Sequence, residues 1–269
     1  MDALSALAIA GAGLAAGTIN TVVGSGTLIT FPTLLALGYP PLVANVSNTI
    51  GLVPGSMSGV HAYRRELRGP EQRRRLLHLC GFSLAGGAAG SVLLLALPGT
   101  AFRRAIPWLI LLACALVLVQ PSVRRRLAAS EARAGARRGP GTGGPGPARA
   151  RRNLQGQVLA ASIFATGVYG GYFGAAQGVI LISVLAIFIA DHLQRLNAVK
   201  NVLALLANLV AGVIFAFSGH VSWPAAAVLA AGAVVGGQVG GRVGRHLPQP
   251  VLRSLIVAVG TAVAILLLV

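Results

Sequence analysis

Val22-Val23-Gly24-Ser25-Gly26-Thr27-Leu28 breaks an apolar run that begins at Ala3 and resumes through Leu37. Glycine has no Cβ, so two glycines around one serine let the backbone leave the helical region and turn. The segment 27–37 contains Pro32 and, at 1.5 Å per residue, cannot cross a bilayer core of about 30 Å. The stretch reads as a broken helical hairpin that enters and leaves a membrane on one side. A second break, Gly170-Gly171-Tyr172-Phe173-Gly174, separates arms at 157–172 and 176–190, each about 22–24 Å long as helix.

Outward from the breaks, apolar segments recur at 42–61, 76–97, 105–120, 198–218, 223–241 and 251–269. Five of them meet the length of a span, and 105–120 does so by extending across Arg104 or Gln120. Only 10% of the 269 residues are charged, 55% are hydrophobic, and the mean hydropathy is +0.77. A soluble domain of this size needs more surface charge, so lipid is the expected solvent. The net charge of +17 does not indicate a nucleic-acid partner, because the arginines sit in loops beside the apolar runs. Arg64, Arg65, Arg68, Arg73, Arg74 and Arg75 form one cluster, and nine more arginines lie between Arg124 and Arg152. Cys80 and Cys114 have neither disulfide nor metal-ligand spacing. The first segment lacks the basic start of a signal peptide, with Asp2 in its place, and is expected to be retained.

The chain repeats itself. Gly26 precedes Asn45 by the same nineteen residues that separate Gly178 from Asn197. Asn45-Val46-Ser47-Asn48-Thr49 aligns with Asn197-Ala198-Val199-Lys200-Asn201 at an offset of 152. Gly86-Gly87 with Gly90, and Leu97-Pro98, return as Gly236-Gly237 with Gly240, and Leu247-Pro248, at an offset of 150. The expected organisation is a first transmembrane repeat at 1–120, a disordered Arg/Gly/Pro-rich cytoplasmic linker at 121–156, and a second repeat at 157–269.

If both halves ran in parallel, the basic side chains would divide fifteen to seven across the membrane. If each half has a hairpin and three true spans, the second half is inverted, and all 22 except Arg103 and Arg104 fall inside. The positive-inside bias favours inversion. The fold class is therefore all-α: a polytopic transmembrane protein of two inverted repeats, each a broken hairpin plus three spans. Re-entrant hairpins give the lower count of 8–10 transmembrane segments and fully crossing arms the upper, with the same parity.

Inverted repeats with broken helices place a transporter's site where the breaks meet. Helix starts at Gly24-Ser25-Gly26-Thr27 and near Gln177-Gly178 would offer N–H groups and a positive dipole end to an anion, with Ser25 and Gln177 as side-chain donors. Tight packing alone is the alternative reading of these glycines. Asn20, Asn45, Asn48, Asn197 and Asn201 are polar positions within apolar runs, and Asn45 and Asn197 recur at matched places. Lys200, the single lysine, is either the cationic partner of an anionic substrate or a side chain snorkelling to the interface. No nucleophile–base set, ATPase motif, cofactor or metal signature is present, so an enzyme is not expected. The expected partners are a small anion and the bilayer, and a homo-oligomer is compatible with the chain. The competing class is a non-transporting scaffold that docks a partner through the basic linker.

The stretch Gly17-Thr18-Ile19-Asn20-Thr21-Val22-Val23-Gly24-Ser25-Gly26-Thr27-Leu28-Ile29-Thr30-Phe31-Pro32, with Gly38 and Ala44-Asn45, resembles the opening of the TauE/SafE sulfite exporter family. Tyr169 through Gly178 and Leu196-Asn197-Ala198-Val199-Lys200-Asn201 are similar to that family's second repeat. The resemblance covers nearly the whole chain outside the linker. It implies a multi-pass carrier of the bacterial inner membrane that exports sulfite or an organosulfonate. The linker here is longer and richer in arginine than the family pattern.

Overall fold

A computed structural model describes residues 1–137, 147–189, 191–242 and 249–268, and among them every regular element is helical. In chain order these are α1 (Ala3–Val22), α2 (Thr27–Ala36), α3 (Pro41–Ala62), α4 (Pro70–Ala96), α5 (Gly99–Arg137), α6 (Pro147–Tyr172), α7 (Gln177–Phe188), α8 (Leu193–Ala216), α9 (Trp223–Arg242) and α10 (Gln249–Leu268). Their limits follow local chemistry. The Asp2 carboxylate accepts from the Ser5 N–H at 3.2 Å and caps α1, and these bonds from Ser5 hold its carboxyl below the usual range. Pro41 and Pro70 open α3 and α4, where a missing N–H costs nothing.

Ala3–Val22, Gln72–Ala96, Gly99–Val119, Gln194–Ala216 and Trp223–Arg242 are long and apolar enough to cross a membrane. The second arms of the hairpins are not. The ten residues of α2 and twelve of α7 rise about 15 and 18 Å. Large apolar side chains such as Leu7, Trp108, Leu118, Val213 and Phe217 face outward, as a lipid solvent allows.

The contacts exchange under a swap of halves. α1 packs on α9 as α6 packs on α4; α3 packs on α9 as α8 packs on α4; α2 meets α10 as α7 meets α5. Gly13 and Gly17 of α1 meet Leu229 and Ala233, so α1 and α9 run parallel. Gly86 and Gly90 of α4 meet Phe164 and Val168, so α4 and α6 run parallel as well. The corresponding helices α3 and α8 run antiparallel: Ser47 Oγ accepts from Ser222 N at 2.9 Å, while Ile50 and Val53 lie by Gly212. These directions agree with inverted repeats.

One expected boundary shifts. The second break lies at 173–176, because Gly170 and Gly171 remain inside α6. Within the stretch read as a disordered linker, 121–137 continue α5 and 147–156 open α6; residues 138–146 lie outside those described. Runs such as Arg124-Arg125-Arg126-Leu127-Ala128-Ala129 are strong helix formers, so a helix can carry on past its membrane segment.

Candidate functional site

The two breaks are built alike. At the end of α1, the Ile19 carbonyl accepts from both Val23 N (2.7 Å) and Gly24 N (3.1 Å). At the end of α6, the Tyr169 carbonyl accepts from both Phe173 N (2.9 Å) and Gly174 N (3.0 Å). Gly24 and Gly174 then adopt φ of +88° and +75°, a region that costs a side-chain-bearing residue about 1–2 kcal/mol. This turn strands the next carbonyls of each helix, which inside a membrane must find other donors.

Those donors come from the opposite repeat. Asn197 and Asn201 of α8 each donate Nδ2 to the Thr21 carbonyl at 3.4 Å, and Lys200 Nζ donates to the Asn20 carbonyl at 3.5 Å. Asn45 of α3 donates to the Tyr172 carbonyl at 3.0 Å. The recurrence of Asn45 and Asn197 thus has a physical cause: each caps a broken helix of the other half. Lys200 is only 1% exposed and points at the negative end of the α1 dipole, so it does not snorkel to an interface.

The breaks also touch each other. Gly178 N donates to the Gly24 carbonyl at 3.1 Å, and a Cβ on Gly24 would fall 2.5 Å from Gly178 Cα. Beside this contact lies a cavity of about 10 Å³, lined by Asn20, Thr21, Gly24, Ser56, Gly59, Gly178, Lys200, Asn201 and Ala204. Lys200 stands seven residues, about 10 Å, into α8. Asn20 donates Nδ2 to Ser56 Oγ at 3.2 Å across the cavity wall.

Not every expected residue joins this cavity. Thr27 and Asn48 lie apart, between α2 and α3, where Asn48 accepts from the Thr30 hydroxyl and donates to Thr27 Oγ1 at 3.4 Å. Gly26 returns against Ala16 and Asn20 of α1 and closes the first hairpin. Ser25 and Gln177 are buried at the tips. The first turns of α2 and α7 are partly bonded within the protein. Leu28, Ile29 and Thr30 in α2, and Gln177, Gly178, Val179 and Ile180 in α7, already donate their N–H groups to protein carbonyls. Sequence reading did not single out Thr21 or Ser56, and it marks Gly59 only through the Gly55/Gly59 spacing, as a packing position; Ser56 and Gly59 lie where the later turns of α3 meet α1.

Near the breaks, Ser25 Oγ, both amide atoms of Gln177, Asn45 Oδ1 and Asn197 Oδ1 are buried with no hydrogen-bond partner among the described residues. Buried polar groups are nearly always satisfied, so a cluster of exceptions marks a place where water or a ligand completes the bonding. These atoms belong to residues at a break or capping one. Gly170 supports the arrangement, since a Cβ there would collide with the Gln177 amide.

Facing broken hairpins, reciprocal packing of two halves and a buried polar junction are the construction of a membrane transporter. The chain belongs to the sulfite exporter TauE/SafE family, whose model matches residues 9–267. It is 24% identical over 223 residues to a probable membrane transporter protein of Haemophilus influenzae, covering 83% of this chain and 78% of that one. It is 23% identical over 255 residues to the probable membrane transporter protein YfcA of Escherichia coli K12, covering 94% of this chain and 86% of that one. A shorter match, 32% identical over 96 residues and 36% of each chain, is to the probable membrane transporter protein ORF9 of a Sinorhizobium species. No solved structure matches at a significant level.

Proposed function

We propose that the protein is a secondary carrier of the bacterial inner membrane that exports a small sulfur oxyanion, sulfite or an organosulfonate. The observation that carries this reading is Lys200, buried in a cavity with Asn20, Asn201 and Ser56 where the two broken hairpins meet. An oxyanion has several acceptor oxygens and no donor when fully ionised. Ammonium, amide and hydroxyl donors complement it, and no carboxylate lines the cavity. Away from water each such bond is stronger than in solution. The unpartnered atoms of Ser25 and Gln177 supply further polar groups once the tips move.

A cavity of about 10 Å³ holds about one water and no sulfonate. Loading therefore requires the hairpin tips to part and the Gly178–Gly24 hydrogen bond to open. Repeats that rock against each other around such a junction give alternating access.

Flux of labelled sulfite, an organosulfonate and sulfate into proteoliposomes tests the proposal. Sulfite or sulfonate should cross only with protein present, and no flux of any of them overturns the reading. Lys200→Gln keeps a donor for the Asn20 carbonyl but removes the charge. It should lower flux about tenfold or more, the worth of a charge-assisted bond, at unchanged protein yield. Unchanged flux would remove Lys200 from the substrate path.

A further inference from the structure

A second polar cavity, of about 770 Å³, lies at the ends of α3 and α9 and is lined by Met57, Ser58, His61, Ala62, Arg64, Arg65, Val234, Gln238 and Arg242. It is distinct from the junction cavity. Ser56 and Gly59 of α3 face the junction, whereas Met57, Ser58, His61 and Ala62 face this groove. Arg64, Arg65, Arg242 and His61 are exposed, the Arg64 guanidinium lies against the His61 ring, and no carboxylate is among the lining residues. Beside the basic groups, the same two helices present Met57 (55% exposed), which also lines the groove, Val235 (51%) and Val239 (38%) outward.

We infer that this groove binds the headgroup of an anionic phospholipid, with the acyl chains lying along the exposed apolar faces of α3 and α9. Three guanidinium groups at the end of two membrane-length helices suit a phosphodiester, and Arg can hold its oxygens in pairs. Basic pockets between helix ends at the bilayer surface are where such headgroups settle. The exposed apolar residues running on from the groove favour a lipid over a free anion, because a soluble ion has nothing to place against Met57 and Val235. The inference does not depend on the transported substrate.

The test is native mass spectrometry of the delipidated full chain with added phosphatidylglycerol, phosphatidylcholine or inorganic phosphate. Phosphatidylglycerol should bind in preference to phosphatidylcholine. Each of Arg64→Gln, Arg65→Gln and Arg242→Gln should weaken that binding about fivefold. The exposed pair Arg103 and Arg104 lies outside the groove, and Arg103→Gln/Arg104→Gln should leave binding unchanged. Equal binding of both lipids, equal loss in the Arg103/Arg104 variant, or phosphate displacing phosphatidylglycerol at millimolar concentration would each overturn the inference, the last by making the groove a free-anion site.

Discussion

Asn45 gives the Tyr172 carbonyl its hydrogen bond, whereas the Thr21 carbonyl at the other break has two donors, Asn197 and Asn201. A buried carbonyl left without a donor costs about 1–3 kcal/mol. Asn45→Ala should therefore lower the unfolding midpoint in detergent more than Asn197→Ala or Asn201→Ala, each of which leaves one donor in place. Equal effects of the three substitutions would show that the capping bonds do not govern stability there. The sequence alone marks the asparagines, through their matched positions, but not the carbonyls they serve. An orphan carbonyl exists only once a helix has stopped, and its donor stands on another element 127 or more residues away. Lys200 illustrates the same gap. Its position three residues beyond Asn197 allows either snorkelling or burial, and the end of α1 decides for burial.

At the scale of elements, glycine spacing predicts close helix contacts, and α1 against α9 and α4 against α6 supply them. A Cβ on Gly236 would overlap the Leu14 carbonyl, and a Cβ on Gly86 would overlap the Phe164 carbonyl, while one on Gly11 meets nothing within 4 Å. Gly236→Ala and Gly86→Ala should each destabilise by about 1–3 kcal/mol, with the pair similar because the two contacts correspond when the halves are exchanged. Gly11→Ala should be neutral or mildly stabilising, since alanine is the better helix former. Thermal unfolding of the three variants checks this, and a loss at Gly11 matching the others would refute the packing explanation. The first break falls where Gly24-Ser25-Gly26 suggests. The second is displaced, because glycine permits a break without requiring one. Gly171 is occupied with close approach to Gly87, and Gly170 makes room for Gln177, so both stay helical.

At the scale of the molecule, reciprocal contacts between halves fix relative helix directions, and charge assigns the sides. The positive-inside bias, applied to inverted repeats, predicts residue 2 and the α8–α9 turn outside and the loop after α3 inside. Asp2→Cys and His220→Cys should react with an impermeant thiol reagent in intact cells, whereas Arg68→Cys should react only after permeabilisation. The reverse pattern would invert the assignment, and a split between positions 2 and 220 would contradict the inverted repeat.

Composition, the ten apolar segments, the internal repeat and the two glycine breaks are local or periodic properties, so the all-helical membrane fold is legible in the order of residues. The environment decides them: a backbone buried in lipid must close its hydrogen bonds in helices or a closed barrel, and long continuous apolar runs select helices and set which ones can cross. The seam between the halves is different. Which carbonyl Asn45 caps, why Lys200 turns inward, and that Gly24 meets Gly178 depend on two distant segments arriving at one place. Only tertiary packing decides these contacts, because an unsatisfied polar group at a broken helix end finds its partner in space, not in sequence.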